Sequence, residues 1–347
     1  MTTIFQLSQL GWTPFFQQQL SLDEISQYLP ARVAAQHRSH FDLFSEQGKH
    51  ILPISAKLPD LTVGDWLLLD SEEQCYRRLD RTSCFSRKAA GSKIKEQFIA
   101  ANVDTVFIVC ALNQDFSLNR IERYLAMIKE AGADPVVVLS KADLCPDSES
   151  YISQVQTLDN MLIIEAINAL DGSSTEILRP WCRTGHTVAV LGSSGVGKST
   201  LINTLIGQTL QETGAARAAD DKGRHTTTSR SLHLIPDGGV LLDTPGMREL
   251  QLAGCESGID DVFADIGELV SQCRYNDCQH QAEPGCAVRN ALQKGQINER
   301  RLDNYLKLMR EQARNSATLA EKRESDRSLS RYYRKVLNES VKLKRGS

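Results

Sequence analysis

The chain has 347 residues, 41% hydrophobic and 24% charged, with a formal net charge of −3. That length suits two or three domains, and the composition is that of an ordinary globular protein. No apolar run approaches the roughly 20 residues that a membrane-spanning helix needs, and MTTIFQLSQLGWTPFF has no basic region before a long apolar run. A membrane span and a secretory signal are therefore not expected, and a cytoplasmic location is.

In chain order, the first predicted elements are short strands between Arg32 and Ser86: RVAAQH, FDLFSE, HILPIS and DWLLLD, separated by Gly48, Pro59, Asp60 and Gly64. Short strands at this spacing imply a small barrel or sandwich. Its size suits a five-stranded OB barrel, a fold that binds nucleic acid, although spacing does not separate OB from SH3-like barrels. The basic stretch SRKAAGSKIKEQ reads as a link.

From DTVFIVCAL onward the pattern alternates. LNRIERYLAMIKEAG has helical spacing and PVVVLS is a buried strand. Helix-like QVQTLDN, strand-like MLIIEA, helix-like STEILRPW and strand-like TVAVLG come next. This alternation predicts a parallel sheet covered by helices on both faces. LHLIPDGGVLLD adds a hairpin, and INERRLDNYLKLMREQARN is helix-prone. Leu319 to Ser347 holds nine Lys/Arg against four Asp/Glu, a +5 tail on a −8 body. Such a tail reads either as a nucleic-acid arm or as a solvated helix end.

Gly192-Ser193-Ser194-Gly195-Val196-Gly197-Lys198-Ser199 matches G-x-x-x-x-G-K-[ST], between strand TVAVL and helix STLINTLIG. The glycines let backbone N–H groups turn toward a β-phosphate, and the helix N-terminus adds positive potential. Lys198 is the candidate for the β- and γ-phosphates and Ser199 for Mg2+, with Thr200 beside them in the nucleotide site. Asp243-Thr244-Pro245-Gly246 ends the strand GVLLD, 44 residues past Ser199. Asp243 is the expected carboxylate for Mg2+, and the Gly246 N–H is expected at the γ-phosphate. Between these motifs, Gly223-Arg224-His225-Thr226-Thr227-Thr228 lies where a switch loop belongs, with Thr227 or Thr228 as the threonine for Mg2+.

Phosphate loops serve ATP and GTP alike, so base choice needs its own signal. Ser140-Lys141-Ala142-Asp143 follows strand PVVVL and matches N/T-K-x-D except at its first residue. Asp143 is expected to accept from guanine N1–H and N2–H2, and Lys141 to cover the ring. Adenine would leave the carboxylate unpaired, at a cost of roughly 2 kcal/mol. Asparagine normally contacts the base edge and braces the phosphate loop, and the shorter Ser140 is expected to do less. Asn168-Ala169 is read as the last base motif, with the Ala169 N–H toward guanine O6. An ATPase is the least favoured alternative. The base motifs precede the phosphate loop, the reverse of the usual order. This is a circular permutation, tolerated when native termini lie close together. The second switch then leads directly into the C-terminal region.

Cys273-x4-Cys278-x-His280-x5-Cys286 offers three thiolates and an imidazole, the closed tetrahedral set of a structural zinc ion. Cys75, Cys84, Cys110, Cys145, Cys182 and Cys255 are scattered and read as reduced and mostly buried. His37, His40, His50, His186 and His233 show no ligand spacing and read as ordinary.

The permuted order, with GSSGVGKST, GRHTTT, DTPGM, the cysteine cluster, GWTPFF, SRKAAG and ANVDTVFIV, resembles the RsgA (YjeQ) family over nearly the whole chain. The resemblance implies a multidomain protein: an N-terminal all-β OB barrel in residues 1–90, a permuted α/β P-loop GTPase domain in 91–253, and a mainly helical zinc-binding domain with a basic tail in 254–347. It implies a GTP hydrolase with GTP/GDP, Mg2+ and one structural Zn2+, acting late in small ribosomal subunit maturation and stimulated by that subunit. Small-subunit rRNA is the expected partner, without DNA or membrane, and the chain is expected to be a monomer. Ser140 and Asn168 depart from the commonest family pattern and suggest a divergent second copy. Met247 stands where many GTPases place a water-orienting Gln, so intrinsic turnover should be slow and His225 is the candidate to position water. The alternative is a GTP-dependent RNA-binding scaffold or switch acting on another RNA or on a protein.

Overall fold

The computed structural model describes residues 5–88, 96–207, 230–236, 238–243, 254–281 and 283–316. The switch candidates His225, Thr227 and Thr228, the Gly246 and Met247 positions and the basic tail lie outside these residues.

Side-chain alternation organises the first unit. In β2 (His40–Ser45) and β3 (Gly48–Pro53) every second residue is buried, so one face is wet and the other lies on a core. β1 (Leu29–Gln36) is bulged between Val33 and Ala35 and pairs antiparallel with both β2 and β4 (Trp66–Leu69). A bulge bends its strand and adds local twist. β5 (Cys75–Arg78) pairs with β4. Two short helices, α1 (Pro14–Gln17) and α2 (Leu22–Gln27), precede the sheet. The turn before α1 contributes Leu10 and α1 itself Phe16 to a small core with Trp66, Leu68 and Leu79.

The two ends of the stretch read as a basic link are strand, and its residues 89–95 lie outside the described residues. β6 (Cys84–Lys88) and β7 (Glu96–Ala101) form an antiparallel hairpin. Phe85 and Ile99 are buried while Arg87 and Gln97 pair on the wetter side. Of the basic residues that suggested a link, Arg87 and Lys88 belong to β6, and Lys93 and Lys95 lie outside the described residues.

The parallel sheet is as expected. β8 (Thr105–Ala111), β9 (Asp134–Ser140), β10 (Ile163–Ile167), β11 (Thr187–Leu191) and β13 (Val240–Asp243) run parallel, with β12 (Arg230–Leu234) antiparallel to β13. The order is β10-β9-β8-β11-β13-β12. α3 (Leu118–Ala131) ends at Gly132, whose φ of 80° suits a residue without a Cβ. α4 (Ser148–Gln156) starts earlier than the QVQTLDN run because Asp147 caps it. STEILRPW divides into α5 (Gly172–Thr175) and a 3-10 stretch, Glu176–Trp181, around Pro180, which has no N–H to continue a helix. α6 (Lys198–Ile206) follows the phosphate loop.

These two sheets are one. β12 also pairs with β1, Ala35 opposite Ser231 and Gln36 opposite Arg230, giving a continuous eleven-stranded sheet. Near this junction Arg32 is fully buried. Its guanidinium donates to the carbonyls of Leu10, Gly64 (3.2 Å) and Asn102 (3.0 Å), and lies 5.6 Å from the Trp66 ring centre. Burial pulls its pKa down to about 10, against the opposing pull of Asp104 and Asp65. One side chain thus ties together the N-terminal turn, the strand sheet and the start of the parallel sheet.

The C-terminal region is helical: α7 (Glu256–Val262), α8 (Ala264–Ser271), α9 (Ala287–Gln293) and α10 (Glu299–Ser316). α7 lies directly on α3. A Cβ on Gly258 would come 2.0 Å from the Ala126 carbonyl, so this crossing requires glycine.

Candidate nucleotide site and metal centre

β8, β9 and β10 step outward from the sheet centre, and the chain then returns to β11 between β8 and β13. That reversal makes a crevice at the C-terminal ends of the strands, the place where open α/β sheets bind ligands. Gly192, Ser140, Asn168 and Asp243 all stand at or just beyond these ends.

The phosphate loop runs from β11 to α6 with φ of 151° at Gly192, 80° at Gly195 and 95° at Gly197. A Cβ on Gly192 would fall 2.3 Å from the Val109 carbonyl, so the loop leaves the sheet this closely only with glycine there. Ser194 and Gly195 are exposed, Val196 anchors the loop in the core, and Ser199 and Thr200 are half-buried. The Lys198 amine is buried within the loop and donates to the Ser193 carbonyl. Arg120, on α3, donates to Ser193 Oγ at 2.9 Å and to the Asp115 carbonyl at 3.1 Å.

Short as it is, the Ser140 side chain reaches the phosphate loop. Ser140 is fully buried, and its hydroxyl donates to the Val196 carbonyl inside the phosphate loop at 2.6 Å. Lys141 adds a second tie. Held at a φ of 62°, it donates to the Gly195 carbonyl at 3.1 Å. Asp143 is exposed on the 3-10 turn that follows, Ala142–Leu144. The last base loop is joined to the phosphate helix as well, since Thr204 Oγ1 donates to the Ala169 carbonyl at 2.8 Å. Asn168 shapes that loop by accepting from the Leu170 N–H at 3.0 Å, and its own N–H donates to Ser174 Oγ at 2.9 Å.

Ser140→Ala should therefore leave the buried Val196 carbonyl unpaired, at a cost of about 1–3 kcal/mol. The expected result is a guanine-nucleotide Kd raised roughly tenfold, which is about 1.4 kcal/mol, measured with a fluorescent GDP. An unchanged Kd would mean that the brace does not organise the loop.

The sequence did not reveal how the C-terminal helices attach. Glu122 of α3 is fully buried and accepts from Arg300 (2.8 and 3.0 Å), Arg301 (2.8 Å) and Asn304 (2.6 Å) of α10. Arg301 also pairs with Asp265 of α8 (2.9 and 2.8 Å) and donates to the Val262 carbonyl (2.8 Å). Glu130 accepts from the Gly258 N–H at 2.8 Å. The available signal was an acid on the helix face that also carries Ile121, Leu125 and Ala126, all buried. An acid among core positions implies a buried partner.

The four expected metal ligands do come together. Cys273 follows α8, Cys286 opens α9, and Cys278 and His280 lie on the intervening loop. All four ligand atoms lie within 4.8 Å of one another. Cys273 Sγ is 4.0 Å from Cys286 Sγ, and His280 Nδ1 is 3.6 and 3.5 Å from these two sulfurs. A tetrahedral zinc ion with ordinary bond lengths places sulfurs about 3.8 Å apart and sulfur and nitrogen about 3.6 Å apart. The donor set fits that ion. Of the scattered cysteines, Cys110, Cys182 and Cys255 are buried, and burial pushes the Cys110 and Cys182 thiols up to about 12, where they stay protonated at neutral pH.

Comparison with known proteins agrees with this architecture. The RsgA GTPase family model matches residues 78–253. An ABC transporter model matches residues 180–331, a span that contains the phosphate-loop motif common to P-loop ATPases and GTPases. The chain is 57% identical over 342 residues to "Small ribosomal subunit biogenesis GTPase RsgA 2" of Vibrio parahaemolyticus, covering 99% of this chain and 96% of that protein. It is 45% identical over 316 residues to the protein named RsgA of Mesorhizobium japonicum, covering 89% and 91% of the two chains. Among solved structures, YjeQ from Thermotoga maritima matches with a TM-score of 0.59 at 24% identity, over 81% of this chain and 97% of that one. YloQ, described as a circularly permuted GTPase, matches with a TM-score of 0.55 at 21% identity, over 82% and 94%. With its base motifs ahead of its phosphate loop and both at the same sheet edge, the chain belongs to the RsgA GTPase family.

Proposed function

We propose that this GTPase binds the small ribosomal subunit through its rRNA, acts late in that subunit's maturation, and hydrolyses GTP faster when bound there. The observation that carries this reading is the guanine-motif residue Ser140 tied to the phosphate loop, in a chain 57% identical to a protein named for small-subunit biogenesis.

In this reading Asp143 selects guanine, Lys141 covers the ring and the Ala169 N–H meets O6. The N–H groups from Gly192 to Ser199 hold the β-phosphate. The Lys198 amine turns from the Ser193 carbonyl to the β- and γ-phosphates, and Gly246 donates to the γ-phosphate. Ser199, Thr227 and Asp243 would hold Mg2+, which neutralises charge on the phosphates when bound. Water attacks the γ-phosphorus and GDP leaves. Met247 carries a thioether, which cannot orient that water, so His225 does so once the subunit orders its loop. Cys273, Cys278, His280 and Cys286 hold one zinc ion, with no position left open for chemistry.

The N-terminal strands read as an OB barrel, with the bulged β1 shared between β2 and β4. The hairpin of β6 and β7 crosses residue 90, so the first unit reads on to Ala101, ahead of the GTPase domain and the C-terminal zinc domain that begins near residue 254. Phe41 and Trp66 are buried and Tyr76 is exposed, an aromatic supply that favours recognition of RNA shape and backbone over base stacking. The protein is read as a cytoplasmic monomer.

The test is GTP turnover with and without purified small subunits, with large subunits and ATP as controls. Stimulation by small subunits alone is the expected result. GTP binding without stimulation would sink the subunit reading. His225→Ala should abolish the stimulation and leave GTP affinity unchanged. Full stimulation in that variant would remove His225 from the mechanism.

A further inference from the structure

The turn between β1 and β2 carries His37, Arg38, Ser39 and His40. The His37 N–H donates to the His40 carbonyl at 2.9 Å, closing a tight turn that brings its first and last residues together. Asp42 stands two residues beyond His40 on β2 and so shares its face. His37 Nε2 lies 3.0 Å from Asp42 Oδ2, and His40 Nε2 lies 3.3 Å from Asp42 Oδ1. The imidazoles are nearly parallel, with centroids 4.4 Å apart and an interplanar angle of 19°. Both present Nε2 to one carboxylate, and the three ligand atoms lie within 4.8 Å of one another.

We propose that His37, His40 and Asp42 form a second metal site, for a divalent first-row transition ion such as Zn2+, separate from the cysteine cluster. Zn–N and Zn–O bonds of ordinary length in a tetrahedron set nitrogen and oxygen donors about 3.3 Å apart. Each imidazole nitrogen already stands close to that spacing from its own Asp42 oxygen, His37 from Oδ2 and His40 from Oδ1. Side-chain rotation suffices to aim the imidazole lone pairs at a common centre, because the turn and the strand hold all three Cα positions. The neighbouring hydroxyl suits the change. Ser39 Oγ lies 3.1 Å from His40 Nδ1. It donates to Nδ1 when Nε2 carries the proton, and accepts from Nδ1–H when Nε2 ligates a metal.

The site differs in character from the cysteine cluster. Its donors are nitrogen and oxygen, each side chain is about a third exposed, and three protein ligands leave a position for water or a phosphate oxygen. Binding here is weaker than at the cysteines and reversible. The histidine spacing looks unremarkable in sequence, because it becomes a ligand set only through the turn hydrogen bond and the alternation of β2.

The test uses the untagged full-length protein with one equivalent of zinc already in the cysteine cluster. Titration with Zn2+ by calorimetry should reveal one further binding event. Asp42→Asn, and separately His37→Ala with His40→Ala, should weaken that event at least tenfold, with the first zinc equivalent and the melting temperature retained. Asp42→Asn keeps the side-chain shape, so it reads ligation without rebuilding the turn. A wild-type protein that takes only one zinc overturns the proposal. So does a second event of unchanged affinity in variants that melt like the wild type.

Discussion

Cys286→Ala is expected to empty the C-terminal metal cluster and unfold the segment from Cys273 to α9. Cys286 is buried, and its sulfur serves two structures at once: it is one of four clustered donors, and it accepts from the Arg289 N–H at 3.5 Å at the start of α9. The loop between the ligands is otherwise held by hydrogen bonds of its own. Glu283 accepts from the N–H groups of Gln279 (3.0 Å) and Gln281 (2.8 Å), and Arg274 N–H donates to the Gly285 carbonyl at 3.2 Å. A structural zinc ion contributes on the order of 10 kcal/mol to the fold it closes. That is comparable to the whole stability of a typical domain, about 5–15 kcal/mol. The tightly held zinc equivalent should disappear from the purified variant, and limited proteolysis should cut between α8 and α9. Retention of that zinc with an unchanged proteolytic pattern would show that the cluster is not a metal centre.

The second large effect is at Glu122. Glu122→Ala removes the acceptor for Arg300, Arg301 and Asn304 together and leaves the Arg301 side chain, 9% exposed, with Asp265 as its remaining acid. Breaking a buried ion pair by deleting one partner costs about 3–5 kcal/mol. For a protein of this size that is a fall in melting midpoint on the order of 10 °C. Glu122→Gln keeps the shape and part of the hydrogen bonding and should cost less. The loss should be local, with α10 becoming sensitive to protease before the parallel sheet does. Equal melting of wild type and Glu122→Ala would mean that the other contacts of α3, among them Arg123 with Glu311, Glu130 with Gly258 and the packing of α7, hold the C-terminal helices without Glu122. α3 also carries Arg120, bonded to Ser193 of the phosphate loop. One helix therefore touches both the nucleotide loop and the C-terminal clamp, so the Glu122→Ala variant should also be assayed for GTP affinity.

The motifs with chemistry were legible because each is encoded locally. The phosphate loop needs glycines at fixed offsets between a strand and a helix, and those offsets are contiguous in the chain. The same holds for Ser140 to Asp143 and for the cysteines and histidine between residues 273 and 286. Strand and helix alternation followed from hydrophobic runs, and the permuted order followed from reading the motifs in sequence. Where local reading failed, a competing preference had intervened. Pro180 broke a helical pattern, Asp147 started a helix early, and Arg87 and Lys88, which read as part of a link, belong to β6.

By itself, then, the sequence determined the elements, the phosphate and base motifs, and the cluster of three cysteines and a histidine, because these depend on neighbours a few residues apart. The tertiary structure alone decided the pairing of β1 with β12, the reach of Ser140 to Val196, the convergence of Glu122 with Arg300 and Arg301, and the meeting of His37 and His40 at Asp42. Most of these are contacts across 56 to almost 200 residues, and even the short-range histidine set depends on a turn and a strand face. A side chain's chemistry is written in the chain, but which partner stands within 3 Å of it is set by the packing of the whole sheet.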